Sequence, residues 1–170
     1  MRTMRRWSTI VVTAVWVGGG CGTPDASVVD AGASSGGTIT LDAPVLLAPA
    51  APACSEPRTV CMTLRMPDSI PGPPTRLSIG FATAVPVRGP PRAYGALPSP
   101  PLEAGQEFRL QIEYGGIAGD FYPVVLLFMP GGGDVIPVDK LDYLAATTQT
   151  YHFAGAPLNI EELMKLTNGL

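Results

Sequence analysis

The sequence predicts an all-β chain: an antiparallel β-sandwich with one short C-terminal helix. Three observations carry this. Apolar residues recur with period two in the second two-thirds of the chain, the signature of strands with one buried face. Gly and Pro clusters separate these runs. Nineteen prolines and twenty glycines among 170 residues interrupt the chain too often for a helical bundle. An apolar content of 46% with only 15% charged residues excludes a wholly disordered chain.

The elements follow in order. Val60, Met62, Leu64 and Met66 alternate with Cys61, Thr63 and Arg65. Leu77, Ile79, Phe81 and Thr83 alternate with Arg76, Ser78, Gly80 and Ala82. Phe108, Leu110, Ile112 and Tyr114 alternate with Glu107, Arg109, Gln111 and Glu113, a strand with one dry and one wet face. Tyr122 to Met129 is apolar on both faces except at Pro123 and reads as a central strand. Val135 to Val138 reads as a short strand that Pro137 confines to an edge. Thr148 to Phe153 reads as another, with Tyr151 and Phe153 inward. The final helix is placed after Asn159, a residue able to cap it, with Glu162 three positions on; Ile160, Leu163, Met164 and Leu166 form its apolar face.

The N-terminus is a different kind of segment. Arg2, Arg5 and Arg6 precede eleven uncharged residues, Trp7 to Val17, then three glycines and Cys21. A basic head, a short apolar stretch and small residues form an export signal over residues 1–20. A bilayer span needs about 20 apolar residues, so a signal anchor would have to extend through three helix-spoiling glycines. Without residues 1–20 the chain keeps eight basic and fourteen acidic side chains, a net charge of −6. An acidic chain gains nothing from counterion release on DNA or RNA, so no nucleic-acid partner is expected.

The order basic, apolar, small, Cys over residues 1–21 resembles the signal peptides of bacterial lipoproteins. It departs from them at Gly18, where the family usually carries Leu, and ordinary signal-peptidase cleavage is the alternative. The resemblance implies a diacylglyceryl group on the Cys21 sulfur and an acyl chain on its amine, hence a membrane anchor. Gly22 stands where an Asp retains some of these proteins at the inner membrane, which implies the outer membrane of a bacterial cell envelope.

Residues 22–53 read as a tether. Twenty-five of the 32 are Gly, Ala, Ser, Thr, Pro or Asp, too little apolar surface to offset ordering entropy. Thr38–Leu41 alternates and Val45–Leu47 is apolar, so a first strand over residues 38–47 stands as the other reading. The sandwich domain is placed at residues 54–170, a length that suits an immunoglobulin-like sandwich. Leu102–Gln106 leading into Phe108, and Gly119–Val125, resemble the paired strands of such bacterial modules. The apolar strand, Gly run and Ile-Pro-Val segment are similar to uncharacterised lipoprotein domains. A transthyretin-like sandwich is equally compatible.

Candidate chemistry is sparse. Cys54 and Cys61, flanking a turn in an exported chain, predict a disulfide; zinc is the alternative and lacks the four ligands of a structural site. His152 is the only histidine, so a Ser-His-Asp triad would need it; alternation places it on a solvated face. Asp134, Asp139 and Asp142 read as acidic loop ends, with calcium the lesser alternative. Gly131–Gly133 lacks the Lys and helix of a phosphate loop. Val85–Pro101 holds six prolines with Arg88, Arg92 and Tyr94. These three are the candidate ligand or partner contact, for an acidic peptide, glycan or anion. A rigid edge-covering loop, part of it paired as an irregular strand, is the other reading. No catalytic residue, metal or cofactor is assigned. The expected function is a lipid-anchored, non-enzymatic binding or structural module of the envelope, whose partner is an envelope protein or glycan. A small hydrolase or transthyretin-like enzyme is the alternative.

Overall fold

Residues that alternate in the sequence pair into two packed sheets. The computed structural model describes residues 37–168; the expected export signal over residues 1–20 and Cys21 lie outside them. The strands are β1 Ile39–Thr40, β2 Val45–Leu47, β3 Thr59–Arg65, β4 Arg76–Ala82, β5 Ala93–Pro98, β6 Glu107–Glu113, β7 Gly119–Phe128, β8 Tyr143–Ala146, β9 Tyr151–Phe153 and β10 Leu158–Lys165. One sheet has the order β1-β5-β4-β7-β8, with β9 also on β7, and the other β10-β3-β6-β2. The two sheets pack as the layers of a β-sandwich. The sheets are mixed rather than purely antiparallel, because the edge strands β1 and β10 run parallel to β5 and β3.

The core lies between the layers and is filled by the predicted inward residues. Val60, Met62 and Leu64 face Leu77, Ile79 and Phe81 across it, with Phe108, Leu110 and Ile112 beside them. Phe153 packs edge-on against Phe81, Tyr114 and Phe121, at centroid distances of 4.9, 4.8 and 5.6 Å. Each such buried side chain contributes about 1.5–3 kcal/mol relative to exposure.

Pro123 sits inside the central strand β7 without leaving a ladder donor missing. Thr147 N–H donates to the Pro123 carbonyl, which puts the proline nitrogen on the β8 and β9 side. There β8 pairs only from Val124 onward and β9 only up to Phe121. The absent N–H therefore falls in the gap between two partner strands.

The C-terminal helix is not formed; residues 158–165 are β10. The strand is irregular, with Ile160 opposite Met62 and Leu163 opposite Thr63, so Glu161 and Glu162 are extra. Two extra residues keep the parity of the alternation, so Ile160 and Met164 are buried while Leu163, at an odd position, is exposed. Residues four apart share a face in a strand as in a helix, and apolar Leu163 on the outer face beside Glu162 at an inward position gives the run its helical look. Val135–Val138 is not a strand either: it is part of an irregular loop, held by contacts described below. Of the two readings of residues 38–47, the strand is the one seen, as β1 and β2 on the edges of opposite sheets.

From β2, residues 48–54 form a strap across the outer face of the second sheet. Arg109 on β6 donates from Nη1 to the Ala51 carbonyl, 3.2 Å. Asn159 on β10 accepts from Cys54 N–H at 2.7 Å and returns a bond from Nδ2 to the Cys54 carbonyl at 3.1 Å. The Cys54–Cys61 disulfide, Cα atoms 5.9 Å apart, fixes the strap to β3.

Candidate functional site

The Gly131–Asp142 loop between β7 and β8 is the most elaborately built of the described loops. Asp142 is fully buried. Its Oδ1 accepts from Met129 N–H at 2.8 Å; its Oδ2 accepts from Gly133 N–H at 2.8 Å and Val138 N–H at 2.7 Å. Several backbone donors on one carboxylate make charge-assisted bonds, and they hold the loop folded around the side chain. The glycine run is what permits this approach. A Cβ at Gly132 would overlap the Asp142 carboxylate, and one at Gly133 would overlap the Ile136 carbonyl. Outside this pinned base stand Val135 and Ile136, 73% and 79% exposed.

The acidic trio is thereby divided. Asp134 and Asp139 are exposed, while Asp142 spends both oxygens on backbone donors, so the calcium reading loses its third ligand. No group of three His, Cys, Asp or Glu able to hold a metal ion occurs among the described residues.

The Pro-rich segment is part loop and part strand. Thr83–Pro90 is exposed and includes Arg88, whereas Tyr94 lies half-buried in β5. Arg92 immediately precedes β5, its N–H donating to the Phe81 carbonyl at 2.8 Å. Arg92 and Tyr94, two residues apart, share one side of the chain opposite buried Ala93, and Arg88 lies further out on the loop.

His152 is on the solvated side of β9, as alternation predicts. Its Nδ1 lies 2.8 Å from Asp120 Oδ1, and both side chains are about two-thirds exposed. Sequence reading missed this pair because Asp120 lies 32 residues away, on the strand β7 whose pairing with β9 brings them together. A shallow cleft of about 450 Å³ beside β2 carries the carboxylates of Asp42, Glu56 and Glu113.

Compared with known proteins, the chain matches no family model, no curated protein and no solved structure.

Proposed function

We propose that this protein is a lipid-anchored β-sandwich of a bacterial cell envelope, acting as a non-enzymatic binding module. The observation that carries the binding part is the Gly131–Asp142 loop. A buried carboxylate and two sterically required glycines are invested in holding Val135 and Ile136 in water. Exposed aliphatic tips on a rigid base suit an apolar recess on a protein, which favours an envelope protein over a glycan as the partner. The anchor rests on the order of residues 1–21, with Cys21 as the lipidated residue and the outer membrane as the destination. Arg88, Arg92 and Tyr94 are the candidate second contact.

The hydrolase alternative would be built on His152 and Asp120. Among the described residues no hydroxyl hydrogen-bonds to the free His152 nitrogen, and the pair lies in the open rather than in a cleft that excludes water.

The test is affinity capture from detergent-solubilised envelope with the full chain, compared with Val135→Ser and Ile136→Ser. A partner held by the native chain and lost in both variants, at equal thermal stability, supports the reading. Equal capture by all three rejects the loop as the site. Cys21→Ser tests the anchor separately: the variant should leave the membrane fraction or remain an unprocessed precursor, and a mature-sized membrane-bound chain rejects lipidation.

A further inference from the structure

The Thr83–Arg92 loop and the start of the described chain lie at one end of the sandwich. β4 runs toward this end and β7 away from it, because Ala82 is opposite Tyr122 and Arg76 opposite Phe128. Ile39 is opposite Ala93, and its N–H donates to the Arg92 carbonyl at 3.0 Å. The chain therefore enters the fold at the foot of this loop. Val135 and Ile136 follow the far end of β7 and belong to the opposite end.

Cys21 lies sixteen residues before Gly37. At no more than about 3.6 Å per residue, those residues reach at most about 58 Å in any conformation. A chain anchored at Cys21 thus keeps this end within that distance of the lipid surface.

The loop carries chemistry suited to that surface. Val85 and Val87 are 46% and 38% exposed, and Arg88 is exposed beside them. Pro86, Pro90 and Pro91 fix φ along the loop and lower the entropy lost on docking. Pro91 packs on Gly80, where a Cβ would come within 3.0 Å of it. Branched aliphatics enter the boundary between headgroups and acyl chains, and guanidinium forks pair with phosphodiester oxygens. An acidic peptide or a free anion would use the arginines and leave both valines in water.

We propose that the loop Val85–Arg92 rests on the anionic lipid surface to which the chain is anchored, with Val85 and Val87 at the acyl boundary and Arg88 and Arg92 on lipid phosphates. This rests on the anchor reading above. Asp42 and Glu113 share a shallow depression with Ile39 and Leu41 and oppose an anionic surface, so the contact is weak by itself. The tether supplies the local concentration that makes it persist.

Trp7 and Trp16 are the only tryptophans, and processing at Cys21 removes both. In the mature full chain, Val87→Trp is then the sole indole at this end and Ile136→Trp the sole indole at the other. Each variant, reconstituted into phosphatidylethanolamine–phosphatidylglycerol vesicles with brominated acyl chains, is read by emission wavelength and quenching. The expected result is a blue-shifted Val87→Trp quenched about threefold more than Ile136→Trp, the difference shrinking in high salt and in Arg88→Ala/Arg92→Ala. Val85→Trp should follow Val87→Trp, and thermal unfolding confirms that both are folded. Vesicle-bound protein whose two ends are quenched equally, or a Val87→Trp blue shift appearing only with added envelope protein, overturns the loop proposal and leaves the anchor standing. A chain that separates from the vesicles, or that retains Trp7 and Trp16, overturns the anchor reading and this proposal with it.

Discussion

Asn159 and Cys54, 105 residues apart, pair as two strand residues would. The Asn159 carboxamide accepts from Cys54 N–H at 2.7 Å and donates to the Cys54 carbonyl at 3.1 Å. A side chain thus supplies both bonds that a neighbouring backbone would give, and Arg109 Nη2 adds a third at 2.8 Å to the same Oδ1. Asn159→Ala is expected to destabilise the fold by about 1–3 kcal/mol, since it strips two partners from a half-buried backbone. Asn159→Asp keeps the acceptor but loses the donor to Cys54, so it should fall between. Thermal unfolding of the three proteins checks the order.

The disulfide acts on the same strap. It closes a loop of eight residues, and the chain-entropy relation gives about 2–3 kcal/mol for that length. Cys54→Ala/Cys61→Ala should lose roughly this in denaturant unfolding. Mass spectrometry of unreduced peptides should show the 54–61 link, and its absence would contradict the pairing.

Asp142→Ala removes the acceptor of three backbone donors, one of them fully buried. An unsatisfied buried donor costs about 1–3 kcal/mol, so a loss at the upper end of that range is expected. The loop should also release Val138, whose amide exchange is predicted to speed up more than amides in β3. Gly132→Ala should act in the same direction, because its Cβ needs the space of the carboxylate. Unchanged Val138 exchange in both variants would contradict the pinning.

Phe153 touches three aromatic rings from a strand of only three residues. Phe153→Ala is expected to cost about 3–5 kcal/mol, whereas His152→Ala, next to it but exposed, should stay within about 0.5 kcal/mol. Thermal unfolding of the pair separates the inward face of β9 from its outward face.

The sequence alone determined the all-β class and the inward faces of β3, β4, β6 and β9, because the two-residue period of a strand is a local property written in side-chain polarity. It also paired Cys54 with Cys61, the two cysteines that remain once Cys21 is read as the anchor of an exported chain. Only the tertiary structure decided β10. Ile160 and Met164 are four residues apart, a spacing that shares one face in a strand and in a helix alike, and only the parallel partner β3 distinguishes the two. The same holds for Asp142, which in the sequence is one of three similar acids. Its burial depends on Met129, Gly133 and Val138 closing around it, so no local pattern marks it. The Val135–Val138 run is apolar enough for a strand, yet it stays a loop because the nearby backbone donors are bound to that carboxylate instead of to a neighbouring strand. Alternation reports which way a residue faces; which distant partner satisfies a buried polar group is fixed by how the whole chain packs.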